Sequence, residues 1–197
     1  MRPMKEAVSR RVERRTRQRA ANRGAILDAA RRVAAREGAG EISLRAVAGE
    51  AGYAPASVYE YFRNRAELVL ALAADDLSQL VRALREAGGG QAGAARAALE
   101  SLKTGGALPA AAATLESGSA PPEAERLFNG KLIAALTALS EAAGRTPLKG
   151  RDDQAEIVLL AAAIVGLAAL SRAGRLKALG FDESELLSRL DRRFSSS

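Results

Sequence analysis

SLRAVAGEAGYAPASVYEYF, residues 43–62, decides the reading of this chain. Ser43 stands where a hydroxyl can accept an unpaired backbone N–H of a helix opening at Leu44. Val47, Ala48 and Ala51 recur at helical spacing and face inward, and the helix runs to about Glu50. Gly52 then breaks it, because glycine takes up the left-handed backbone that follows a helix end without a steric cost. Tyr53 and Ala54 complete a tight turn. Pro55 opens the next helix, where a missing first-turn N–H costs nothing, and that helix runs through Val58 to Phe62. Two short helices joined through a glycine turn form a helix-turn-helix. Ala48 and Ala51 are small enough for close packing. Val58 and Phe62 are core residues of the second helix, and Pro55, Ala56 and Ser57 lie at its groove-facing end.

Working outward, Ile26, Ala30, Val33 and Ala34 mark a helix over about Ala20–Arg36, stopped by Glu37-Gly38-Ala39-Gly40. A longer helix begins at Arg65 and continues through Leu68, Leu72 and Leu77 to about Glu86. Gly88-Gly89-Gly90 is a clear break. Further helices are expected near Gln91–Lys103, Leu108–Glu116, Glu123–Ala143, Asp152–Arg175 and Asp182–Phe194, with a glycine-bearing break over residues 144–150. The leucine- and alanine-rich composition, sparse in β-branched and aromatic residues, indicates an all-α fold. Three regions follow: a flexible arginine-rich arm over residues 1–19, a DNA-binding unit over 20–66, and a larger helical unit over 67–197.

Absences narrow the chemistry. The 197 residues include no cysteine and no histidine. Disulfides, thiolate ligands and histidine-based catalysis are therefore ruled out, and no enzyme activity, cofactor or metal is expected. Net charge is +7 and uneven, with 12 basic and three acidic residues in 1–36. A polyanion near that end is the natural partner. Residues 157–171 are uncharged, but 15 residues are shorter than the roughly 20 of a spanning helix. A buried helix in a cytoplasmic protein without a membrane partner is the expectation.

The segment Arg23–Ala30, then Gly38, Ile42-Ser43, Val47-Ala48, Ala51-Gly52-Tyr53, Ser57-Val58-Tyr59, Tyr61-Phe62, Arg65 and Glu67-Leu68, resembles the DNA-binding domain of tetracycline-repressor-type (TetR family) regulators. The likeness covers about 50 residues at fixed spacing. It implies phosphate contacts from Ser43, Tyr59, Tyr61 and Arg65, and base-facing positions at Tyr53, Pro55, Ala56 and Ser57, with Arg45 beside them. Such phosphate contacts set register and carry no sequence information. The family usually has serine or threonine where this chain has Ala54, and an acidic residue at the position of Ala46. Arg10, Arg11, Arg14, Arg15, Arg17 and Arg19 form a basic arm of the kind that enters an adjacent minor groove.

Asp152–Arg175 is apolar on most sides, which suggests a subunit interface. Ile157, Leu160, Ile164 and Leu167, with the stripe Leu187, Leu190 and Phe194 near the C-terminus, are the candidate contacts. The resemblance implies that the last two long helices pair with their twins in a homodimer, which would read a palindromic operator. It also implies an effector pocket among the central helices, with Phe128, Leu132 and Leu136 as candidate walls for an unidentified small molecule. The leading reading is thus a ligand-released repressor. Its rivals are a regulator without an effector and a basic scaffold on RNA or membranes.

Overall fold

The structure, a computed structural model, describes residues 3–145 and 150–195. The ends of the expected arm and C-terminal unit, and part of the 144–150 break, lie outside the described residues. Ten helices and no strand occur among the described residues: α1 (Pro3–Glu37), α2 (Leu44–Ala51), α3 (Pro55–Tyr59), α4 (Arg65–Glu86), α5 (Gly90–Thr104), α6 (Leu108–Glu116), α7 (Pro122–Ala142), α8 (Arg151–Arg172), α9 (Arg175–Ala178) and α10 (Glu183–Ser195).

The first helix departs from expectation. It does not begin near Ala20 but runs 35 residues from Pro3. No glycine or proline interrupts residues 4–23, and arginine and alanine are strong helix formers. Pairs one turn apart support it: Glu13 with Arg17 at 3.9 Å, and Gln18 Nε2 donating to Asn22 Oδ1 at 2.9 Å. Charge alone read this stretch as a tail. Helix α3 is shorter than expected, five residues, because the N–H groups of Tyr61 and Phe62 both turn back onto the Val58 carbonyl at 3.0 Å. The expected helix to Arg175 ends at Arg172, and Gly174 (φ 66°) turns the chain into α9.

Helices α1–α3 share a small core of Ile26, Val33, Val47, Ala48, Val58 and Phe62, all buried. Helix α4 belongs to both parts of the molecule. It packs on α1 and is also surrounded by α5, α6 and α7, with a continuous buried run from Leu68 to Ala74. Asn64 caps it by accepting from the Glu67 N–H at 2.8 Å, and the Glu67 carboxylate accepts from the Arg63 N–H at 2.9 Å.

A charged cluster locks the two parts together. Arg31 of α1 donates to Asp75 at 2.8 Å and Asp76 at 2.9 Å, both on α4. The second oxygen of Asp76 accepts from the N–H groups of Gly106 and Ala107 at 3.2 and 3.3 Å, in the turn between α5 and α6. That turn comes so close that a Cβ at residue 105 would lie 2.9 Å from Asp76 Oδ2, which requires Gly105. Arg172 of α8 donates to the Gly105 carbonyl at 3.1 Å. Burial pushes the Asp75 carboxyl up, but hydrogen bonds from Arg31 and Gln79 and the charges of Arg31 and Arg82 outweigh it, so it sits below its ordinary value. Its contribution to stability is therefore complete above the usual carboxylate range and is lost as pH falls through the lowered value.

Replacing Arg31 by Met leaves the Asp76 carboxylate buried without its cation. The expected cost is about 3 kcal/mol at neutral pH, the low end for a broken buried pair because the Arg31 side chain keeps 27% exposure. Thermal melts should show the Asp75 share of the deficit shrinking as pH falls below the ordinary aspartate range. A deficit independent of pH would refute the assignment.

Candidate nucleic-acid interface

Local chemistry builds the surface around α2 and α3. Ser43 Oγ accepts the Ala46 N–H at 3.1 Å, which caps α2 as its position implied. Glu50 receives Arg32 at 2.7 Å and Arg36 at 2.9 Å, tying α2 to α1. Those hydrogen bonds, Arg32's first, hold the Glu50 carboxyl below its usual range. Gly52 takes φ 70°, the left-handed value a side chain resists, and sends the chain into the turn. Ala54 precedes α3 with no side-chain cap, and Pro55 sits in the first turn.

Helix α3 is amphipathic despite its length. Val58 is wholly buried, and Phe62 just beyond the helix is buried too. Pro55, Ala56 and Tyr59 face solvent, and Tyr53 and Ser57 are half-buried beside them. Arg45 is exposed on α2. Tyr59 is 54% exposed, so its phenol is free to reach a polar partner.

Two expected phosphate contacts have internal partners. The Tyr61 hydroxyl accepts from Asn22 Nδ2 at 3.1 Å, and Arg19 lies 5.6 Å from its ring centroid. Tyr61 therefore joins α1 to the end of α3, and its hydroxyl keeps a proton to donate outward. Arg65 reaches back from α4: its Nε donates to the Ile42 carbonyl at 3.0 Å and its Nη2 to the Gly40 carbonyl. It clamps the loop that carries Ser43, and its remaining N–H groups face outward at an exposed position. Arg14, Arg15, Arg17 and Arg19 are all exposed on α1, whereas the side chain of Arg10 lies outside the described residues. Sequence reasoning missed Asn22 and Asn64, since neither belongs to a local pattern beyond capping potential.

In the C-terminal part, Ile157, Leu160 and Ile164 do not face outward. They are at most 2% exposed and form the inner stripe by which α8 packs on its own subunit. Leu167, Leu187, Leu190 and Phe194 are half-buried against the same core. The exposed apolar side of α8 is Val158, Leu159, Val165 and Leu170, beside Ile133 of α7. An apolar periphery all round hid which side was which. Leu132 and Leu136 line an apolar cavity of about 60 Å³ with Leu77, Leu80 and Leu84 of α4. Phe128 is buried and is not among its walls.

Residues 26–72 match the family model described as bacterial regulatory proteins, tetR family. The tetR-family likeness is thus shown for the segment that carries the helix-turn-helix. A curated relative, the HTH-type nicotine-responsive transcriptional repressor HdnoR of Paenarthrobacter nicotinovorans, is 46% identical over 59 residues. That match spans 30% of each chain, so it is confined to a part of the relative. Solved structures share the tetR-family fold over nearly the whole length. A TetR transcriptional regulator from Rhodococcus sp. RHA1 superposes with TM-score 0.65 at 21% identity, covering 90% of this chain and 97% of that one. The TetR-like regulator LfrR from Mycobacterium smegmatis, in complex with proflavine, gives 0.62 at 22% identity, covering 91% and 97%.

The capped start of α2 and the uncapped start of α3 make a capping test direct. Ala54→Ser should add about 0.5–1 kcal/mol by supplying the absent cap, and Ser43→Ala should remove about 1 kcal/mol. Urea unfolding of both variants measures the two effects, and equal midpoints for Ala54→Ser and the parent would contradict the uncapped start of α3.

Proposed function

We propose that this protein is a cytoplasmic homodimeric transcriptional repressor of the tetR family, not an enzyme, that reads a palindromic operator through α2 and α3 and is released by an apolar small molecule. The observation that carries it is the exposed row Pro55, Ala56 and Tyr59 on a helix whose opposite side is buried, at the basic end of the chain. Residues 20–66 supply the reading head, and residues 67–197 supply the effector and dimerisation functions. Pro55 and Ala56 offer van der Waals contact to thymine methyl groups, and Ser57 adds one hydroxyl. Ser43, Tyr59 and the free donors of Tyr61 and Arg65 grip phosphates and fix register.

The exposed face of α8 supports the dimer. Val158, Leu159, Val165 and Leu170 with Ile133 form an apolar patch that a second copy would cover about a two-fold axis. Helix α8 also has the length and hydropathy of a membrane span. Its inner stripe, however, is part of a core shared with α5, α7 and α10, which suits a subunit interface better.

The effector reading rests on the cavity beside α4. At about 60 Å³ it is closed to a ligand that needs several hundred. Entry of an effector therefore has to part α4 from α7 and α8. The wall residue Leu77 follows Asp76 directly, so that movement reaches Arg31 and the reading head through one rigid helix. An effector that binds the parted form better than the closed one shifts the population away from the DNA-competent spacing.

Selection of bound fragments from the native genome should recover a palindromic site, and recovery of fragments with no shared sequence would remove the repressor reading. Sedimentation at micromolar concentration should give a dimer, and Leu159→Glu a monomer with its helical content intact. Tyr59→Phe should weaken operator and unrelated DNA alike by several-fold, as expected for a phosphate contact.

A further inference from the structure

The N-terminal part of α1 has no role in the fold that its shape would require. Every residue from Arg11 to Ala21 is exposed. At 1.5 Å per residue this is a rod of roughly 16 Å standing clear of the core. Its root is fixed beside the reading head. Arg19 donates to the Glu60 carbonyl at 3.4 Å and lies over the Tyr61 ring, Asn22 holds the Tyr61 hydroxyl, and Arg23 lies 5.1 Å from the Phe62 ring centroid. The direction of the rod relative to α3 is therefore set by four contacts.

Its charges are sided. Arg11, Arg15 and Arg19 repeat every four residues, which places them in one row about 6 Å apart. Arg14 and Gln18 flank that row. Glu13 falls on roughly the opposite side, where it meets Arg17 at 3.9 Å. The row that leads to α3 is thus free of acidic residues, and its pitch suits the closely spaced charges of a nucleic-acid strand.

We infer that residues 11–21 form a rigid helical strut that binds the phosphate backbone flanking each half-site, through Arg11, Arg15 and Arg14, and that it does not thread the minor groove. The inference rests on the DNA-binding reading of α2 and α3. The width of a helix decides the mode: with side chains it measures about 10–12 Å, against about 6 Å for the minor groove of B-form DNA. A flexible chain can enter that groove and a continuous helix cannot. Nucleation, the step that makes isolated helices marginal, is already supplied by the packed half of α1. The strut contributes affinity and footprint length, with no preference among bases.

The test uses the full-length protein on two duplexes, the site recovered by genomic selection and a mixed-sequence duplex of equal length. Arg11→Gln with Arg15→Gln should weaken binding to both by at least about tenfold at low salt and flatten the salt slope by about 4, two contacts from each of two protomers. Ala20→Pro keeps every arginine but breaks the helix between strut and core. It should reproduce most of that loss, while circular dichroism confirms that the rest of the molecule stays folded. An arm that acts while flexible would bind normally with Ala20→Pro, and that result overturns the strut. So does a loss that appears only when the flanking pairs are A·T, which marks minor-groove readout. If the arginine variant binds unchanged while Tyr59→Phe is impaired, the strut fails and the reading head stands. If the parent protein binds neither duplex, both fall.

Discussion

The pairing of Arg31 with Asp75 and Asp76 is the interaction on which the architecture depends. It joins α1 to α4, and it does so at a point where one carboxylate is almost fully removed from water. A buried carboxylate is tolerated only with its valences filled, and here the Gly106 and Ala107 amides and the guanidinium fill them. Because those donors come from α1 and from the α5–α6 turn, neither part can shift without disturbing the other's polar partners. A charged joint of this kind contributes little net stability against an apolar equivalent, but it admits few alternative geometries. That is a useful property for a helix that both lines a cavity and carries a reading head.

The helix-turn-helix was legible because its determinants are local. A capping serine, a left-handed glycine and a first-turn proline each act within a few residues, and all three occupy their expected places. What was not legible depends on neighbours far along the chain. Tyr61 and Arg65 look like free hydrogen-bonding groups in sequence, yet Asn22 and the Gly40 and Ile42 carbonyls engage them. The N-terminal arginines looked like a flexible arm because charge masked high helix propensity. In α8 the difficulty was the reverse. With nearly every position apolar, periodicity gave no indication of which stripe α5 and α7 would cover, and the inward residues were taken for the outward ones.

The surface that results divides labour unevenly. The short helix α3 brings few hydrogen-bonding groups to its exposed side and has no cap of its own. Its position is imposed from outside, by Val58 and Phe62 in the core and by the Tyr61 joint to α1. Precision in the proposed reading head comes from the scaffold, and the exposed residues of α3 can stay small. This arrangement allows α3 to change its outer residues without losing its placement, because none of the holding contacts involves Pro55, Ala56 or Tyr59.

The outer face of α8 also links regulation to abundance. If Val158, Leu159, Val165 and Leu170 are covered only when two copies meet, the fully folded species forms in a second-order step. Below the dissociation constant its amount then rises with the square of the chain concentration. Under the proposed function, a repressor built this way would act as a threshold device. Halving its synthesis removes more than half of the active form, and a gene that represses itself through such a protein damps its own fluctuations more steeply than a monomer could.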